Sequence, residues 1–383
     1  MKLYHIITGL SVGGAEMMLY KLLAGMDRDR IDNTVVSLTG HGPVGDLIQS
    51  LGVPVRTLGM KRRIPNPLAV FKLARWLRRD RPHAVQTWMY HADLIGGFAA
   101  RLAGRLPVAW GIYHGTLDPS GTRMTTRWTA WAGARLSRWL PERIVFVSHA
   151  SKDYHIRIGY DADKMIVIPI GFKLAEFSSG QETRAAMRHE IGIPDGSPAI
   201  GLVARWHAAK DHGNFFAAAR LLAHDYPGVH FVLCGSEITW ENQGLVRHID
   251  VNGVRPMTHL LGPLENIPRL MSALDIATSS SIVEGFPNVV GEAMASGLPC
   301  VVTDVGDSAY IVGDSGRVVA PRHPEALAAA WAELLELPDG ERLALGAKAR
   351  ERVKNNFSIG SVVAAYEGLY REMAGVHAAG PDG

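Results

Sequence analysis

The chain has 383 residues, 47% hydrophobic and 20% charged, an ordinary balance for a globular protein that is too long for one typical core, so two domains are expected. No run approaches 18 apolar residues, so no spanning helix is expected. Cys234 and Cys300 both lie in apolar runs, which excludes a disulfide framework and fits buried thiols in a reducing cytoplasm. The net charge of +3 hides an asymmetry: residues 1–170 carry 23 Lys+Arg against 12 Asp+Glu, and the remainder 17 against 25. A basic half holding six of the nine tryptophans points to an anionic surface as partner.

The opening "MKLYHIITGLSVGGAEMML" has one Lys followed by apolar residues, but His5 and the Gly-Gly-Ala-Glu fit a buried strand and turn better than a signal peptide. Strands are then expected at "NTVVSL", "PVRTL", "AVQTW", "PVAWGIY" and "RIVFVS", with amphipathic helices at 15–26, 67–79 and 92–103 between them. The rhythm pauses at "VIPIGFKLAEFSSG", the expected domain boundary. It resumes with "AIGLVA", "VHFVLC", "THLLG", "DIATSS", "CVVTD" and "GRVVA". Two helical stretches close the chain, the second from Ser358 as N-cap, and "HAAGPDG" reads as a disordered tail. Strand–helix alternation predicts an α/β chain of two Rossmann-like domains, each a parallel sheet covered on both faces.

In such sheets ligands bind beyond the carboxyl ends of the strands. After the first strand, Gly13 and Gly14 permit close backbone approach at a helix start, although a Gly-Gly pair is equally a tight turn. "ARWHAAKDH" places Arg205 and Lys210 five apart before a helix, a spacing that suits phosphate oxygens or simply two solvated cations. His207 and His212 lack the acids or cysteines that would complete a metal site. "SSIVEGFPNVVGEAMASGLPCVVTD" carries Glu284 and Glu292 eight apart around a short helix, Pro287 to Ser296, with Pro287 in its first turn. Helix-end electrostatics accounts for one acid at about 0.3–1 kcal/mol and less well for two. A nucleotide sugar accounts for both: amides and cations take the diphosphate, and carboxylates accept from hydroxyls.

"GGAE", "ARWHAAK", "GPLENIPRLMSALDIATSSSIVEGFPNVVGEAMASGLPCVVTD" and "GRVVAPRHPEALAAAW" together resemble the retaining glycosyltransferases of family 4 along essentially the whole chain. The resemblance implies the GT-B fold, two doubly wound domains facing a central cleft, with a C-terminal helix returning to the N-terminal domain. Residues 1–172 with 358–376 would form the acceptor domain, 173–357 the nucleotide-sugar domain and 377–383 the tail. It implies that Glu284 hydrogen-bonds the donor sugar and Glu292 the ribose. Gly285, Phe286, Pro287 and Asn288 would face sugar and distal phosphate with Val289 close behind. Arg205 and Lys210 would neutralise the leaving diphosphate, and Gly13 and Gly14 would approach it from the other domain. His114, in "GIYHGTLD", would stand near the transferring sugar, though a lone His is often structural.

No metal and no cofactor are expected, because Arg205 and Lys210 supply the positive charge. Lys61, Arg62, Arg63, Arg75, Arg78 and Arg79, with the Trp- and Arg-rich "RMTTRWTAWAGARLSRWL", mark a surface for an anionic membrane or a lipid-linked glycan acceptor, against the alternative of an ordinary amphipathic helix. The expected place is the cytoplasmic face of the cell membrane. No nucleic-acid motif accompanies the basic half. The alternatives are a nucleotide-sugar 2-epimerase of the same architecture, a transferase with a soluble small-molecule acceptor, and a non-catalytic nucleotide-sugar binder.

Overall fold

The computed structural model describes residues 1–61, 67–117, 122–177 and 180–375. Arg62, Arg63 and the expected tail at 377–383 lie outside them. The chain divides into two units, Met1–Gly171 with Ile359 onward, and Phe172–Ser358. The first break falls one residue earlier than the sequence reading places it, and the second one residue later.

The first unit is built on a seven-stranded parallel sheet. Its strands are β1 Lys2–Ile7, β2 Asp32–Ser37, β3 Val55–Thr57, β4 Ala84–Trp88, β5 Val108–Ile112, β6 Arg143–Phe146 and β7 Met165–Val167. They run in the order β3-β2-β1-β4-β5-β6-β7, a doubly wound arrangement. Side chains alternate between two cores, as the two-residue period of a strand dictates. Leu3, Ile7, Val35 and Trp88 join the Gly14–Gly25 helix on one face. Tyr4, Ile6, Val36 and Trp110 join the Pro67–Asp80, Tyr90–Gly104 and Met124–Leu136 helices on the other. The unforeseen strand is β7, a three-residue edge paired to β6 from Ile144↔Met165 to Phe146↔Val167.

The C-terminal Ile359–Met373 helix belongs to this first unit and buries Val362, Val363, Tyr366, Leu369 and Tyr370 in its core. A Cβ at Gly25 would sit 2.8 Å from Val363 Cγ2, so this glycine sets how closely the two helices approach.

The second unit has six parallel strands: β8 Ala199–Val203, β9 His230–Cys234, β10 Thr258–Leu260, β11 Ile276–Ser279, β12 Cys300–Thr303 and β13 Gly316–Val319. Their order, β10-β9-β8-β11-β12-β13, repeats the pattern of the first sheet. The order reverses at β8, whose neighbours are β9 and β11. In open parallel sheets such a reversal marks the place where ligands bind, beyond the carboxyl ends of the strands, here β8 and β11.

Candidate active site

The loop after β8 carries Arg205 and Lys210, and the loop after β11 carries Glu284. Lys210 Nζ donates to Glu284 Oε1 at 2.5 Å, with the two side chains 23% and 12% exposed. Ser281 Oγ donates to the same oxygen at 2.6 Å. Two further bonds hold the loops at fixed spacing: Ile282 N to Ala209 O at 2.8 Å, and Ser280 Oγ to Lys210 O at 2.8 Å. Two residues that the sequence treats as separate binding groups thus form one half-buried pair. Arg205 is exposed, and among the described residues its guanidinium has no hydrogen-bond or ion-pair partner. It remains open to an anion.

The β12 loop braces this arrangement from behind. Thr303 Oγ1 donates to Ser281 O at 2.6 Å, and Asp307 N to Gly285 O at 2.9 Å. Gly306 takes φ +57, and a Cβ there would lie 2.5 Å from Glu284 O and 2.7 Å from Gly285 O. Only glycine meets both conditions without strain. Ser281, Thr303 and Gly306 were missed from the sequence; the signals were the Ser-Ser-Ser run before "IVEG" and the glycine in "DVGDS".

The helix beyond Glu284 spans Asn288–Ala295, with Pro287 as its N-cap rather than in its first turn as expected. The ring ends the loop with φ −75 and ψ 95, and Pro287 O still accepts from Val290 N at 3.1 Å. Asn288 is exposed, and Val289 and Glu292 are half-buried. Phe286 is buried between Phe172 and Phe357, at ring distances of 6.3 and 5.9 Å. It anchors the loop and does not face outward. A Cβ at Gly291 would meet the Phe172 ring at 2.2 Å, so the helix can approach that ring only through a glycine. Glu292 lies one turn inside the helix.

The two histidines near Lys210 separate. His207 is exposed, and its Nδ1 accepts from Ala209 N at 3.2 Å. His212 is buried under Trp206 at a ring distance of 5.0 Å, and burial lowers its pKa to about 4. Among the described residues, no three His, Cys, Asp or Glu side chains assemble into a group that could hold a metal ion.

In the first unit, Gly13 is the extended N-cap of the Gly14–Gly25 helix, and a Cβ on it would strike Glu16 Oε2. Burial raises the Glu16 pKa. His114 follows β5, stacks 5.1 Å from Tyr90, and is tied through its carbonyl to Ser151 Oγ at 2.6 Å. Burial, then the neighbouring His91, lowers its pKa, so it is neutral near pH 7. Its Nδ1 is buried with no partner among the described residues. Asp93, on the Tyr90–Gly104 helix, is buried, with Oδ1 accepting from Thr87 Oγ1 at 2.6 Å and Gly111 N at 3.3 Å. Burial pushes this carboxyl up to about 7.

The Pro67–Asp80, Tyr90–Gly104 and Met124–Leu136 helices lie side by side. Their outer face exposes Leu68, Phe71, Trp128 and Trp131, followed by Trp139, with Trp128 at 70%. Lys61, Arg75, Arg78 and Arg79 are exposed on the same unit, as are Arg101, Arg135 and Arg138. The Arg135 guanidinium covers Trp131 at 3.6 Å from its ring centre. The acids of these three helices are Asp80, held by Arg56 and Arg79, and the buried Asp93. The exposed face is positive and aromatic. Among the described residues, no helix is long and apolar enough to cross a membrane.

Two doubly wound units, one with a cation–carboxylate pair and a helix start at its switch point, define the GT-B class of sugar transferases. A family model described as Glycosyltransferase Family 4 matches residues 12–176, and one described as Glycosyl transferases group 1 matches 197–337. The chain belongs to the group 1, family 4 glycosyltransferases. It is 24% identical over 340 residues to the UDP-Gal:alpha-D-GlcNAc-diphosphoundecaprenol alpha-1,3-galactosyltransferase of Escherichia coli, covering 86% of this chain and 85% of that protein. It is 25% identical over 310 residues to the N,N'-diacetylbacillosaminyl-diphospho-undecaprenol alpha-1,3-N-acetylgalactosaminyltransferase of Campylobacter jejuni, covering 77% and 78%. Among solved structures, Anabaena Alr3699/HepE in complex with UDP superposes with a TM-score of 0.80 at 22% identity, over 97% of this chain and 100% of that one.

Proposed function

We propose that this glycosyltransferase moves a sugar from a nucleoside diphosphate donor to an acceptor hydroxyl with retention at the anomeric carbon, and that the acceptor is a lipid-linked glycan intermediate. The observation that carries the donor half is the Lys210–Glu284 pair, with the exposed Arg205 on the same loop as Lys210. Arg205 and Lys210 take the diphosphate, the Gly285–Asn288 backbone faces sugar and distal phosphate, Glu284 accepts from a sugar hydroxyl, and Glu292 accepts from the ribose. Gly13 and Gly14 contribute backbone to the phosphate.

The bond from the anomeric carbon to the phosphate oxygen breaks, and the acceptor oxygen bonds that carbon from the same side. The acceptor proton passes to the departing phosphate. Cations and amides stabilise the charge that develops on that phosphate, and no metal is required for it. His114, neutral and half-buried, is a hydrogen-bond partner for the sugar undergoing transfer.

The acceptor half rests on the basic, aromatic face and on two similar proteins whose names specify undecaprenol diphosphate-linked substrates. Arginines and tryptophans seat the enzyme peripherally on the anionic inner face of the cell membrane, where such an acceptor resides. A thermal-shift panel of UDP-, GDP- and ADP-sugars tests the donor site; a rise with one base identifies it, and no rise with any refutes the reading. Product formation with a polyprenyl diphosphate-linked sugar tests the acceptor, and transfer only to a soluble sugar would replace it.

A further inference from the structure

We infer that Glu284 is a specificity-determining residue that penalises the bare nucleoside diphosphate while sparing the sugar-bearing donor; this rests on the donor-site reading above. The Lys210 ammonium donates to Glu284 Oε1, which serves as its internal counter-ion. The carboxylate is kept in place by Ser281 Oγ on that same oxygen, and Thr303 pins the Ser281 carbonyl. The two hydrogen bonds between the loops, Ile282 N to Ala209 O and Ser280 Oγ to Lys210 O, leave the pair little room to drift apart. Glu284 Oε2, by contrast, has no partner among the described residues and is the oxygen left for a ligand hydroxyl.

A diphosphate entering this site competes with Glu284 for the charge of Lys210. It also comes to rest near a carboxylate that then carries an uncompensated charge in a half-buried place. A nucleotide sugar offsets that loss, because its sugar brings a hydroxyl to Oε2. The product left after transfer has no such hydroxyl. Glu284 then reclaims Lys210 as the nucleoside diphosphate departs. Among the described residues the Arg205 guanidinium has no partner, and it serves donor and product alike.

The test is calorimetric titration of wild type, Glu284→Gln and Lys210→Ala with UDP, GDP and ADP, and with the corresponding nucleotide sugar. Glu284→Gln keeps the shape and removes the charge. It is expected to bind the bare nucleoside diphosphate about tenfold tighter than wild type, while the preference for the sugar-bearing form shrinks. A misfolded variant does not gain affinity, so tightening is informative by itself. Unchanged or weaker diphosphate binding in Glu284→Gln, with Lys210→Ala weakened, overturns the inference and leaves the donor site standing. If Lys210→Ala binds the diphosphate as wild type does, or if wild type binds none of the three, the donor-site reading falls and takes the inference with it.

Discussion

The Tyr366 hydroxyl on the last helix lies 3.3 Å from the Tyr113 hydroxyl, one residue before His114, and both rings pack against the buried Trp88. The C-terminal segment therefore supports the strand end that carries His114. Tyr366 is fully buried, so Tyr366→Ala is expected to cost about 3–5 kcal/mol in chemical denaturation. Tyr366→Phe loses one hydrogen bond, about 1 kcal/mol. Equal losses would show that the hydroxyl pair, and not ring burial, holds the helix.

In the proposed donor site Arg205 and Lys210 act where the diphosphate gains charge, so removing either would take away stabilisation specific to the transition state. Arg205→Ala and Lys210→Ala should each lower turnover by about 10²–10³. Near-native rates from either variant would remove that residue from the mechanism.

Gly306 never meets the ligand in this scheme, yet the loop carrying Glu284 rests on it. Gly306→Ala places a methyl against the Glu284 and Gly285 carbonyls at a positive φ. Turnover should fall about 10²-fold through displacement of Glu284, with the fold retained by circular dichroism. A wild-type rate would mean that the brace is dispensable.

Buried ionisable groups give the first unit a readable pH response. Asp93 is raised from 3.8 to about 7, so its contribution is fully present below pH 4 and is lost as the pH rises through 7. His5 and His155 are lowered from 6.5 to about 4. The unfolded chain takes up their protons first, and stability falls as the pH drops from 6.5 toward 4. Asp93→Asn, freed from ionisation, should melt several degrees above wild type at pH 8, with the gap narrowing toward pH 5. A gap independent of pH would refute the assignment.

Membrane seating is expected to depend on both components of the exposed face. Each cation near an anionic surface contributes about 1 kcal/mol, so replacing Arg75, Arg135 and Arg138 by Ala should weaken binding to anionic vesicles about 10²-fold. Trp128→Ser with Trp139→Ser should reduce binding as well. Flotation with anionic and neutral vesicles measures both, and equal weak binding of wild type to the two would end the proposal.

Much of this was legible in the chain because parallel strands buried on both faces announce themselves as short apolar runs. β1 through β6 and β8 through β13 were expected within a residue or two. β7 was hidden because three edge residues, Met165–Val167, look no different from the start of a linker. Glu284 and Lys210 were singled out by residue type and loop position, but their pairing was not. They stand 74 residues apart, and nothing local specifies which cation meets which oxygen. Gly306 was invisible for a related reason: its burden comes from carbonyls more than twenty positions upstream. Pro287 was placed one position too deep, since a proline is tolerated equally at a helix's first turn and just before it.

The two places where the chain passes between units lie side by side. Phe172 pairs with Ser358 in a parallel bridge, and Phe172 N donates to Phe357 O at 2.8 Å. In the first unit, a Cβ on Gly171 would stand 3.0 Å from Ile359 Cα. The second unit is thus an insertion whose ends meet. It can be excised as one continuous segment, residues 172–358, and the scar in the first unit closed with a linker of a few glycines. Such a dissection would test whether each half folds by itself.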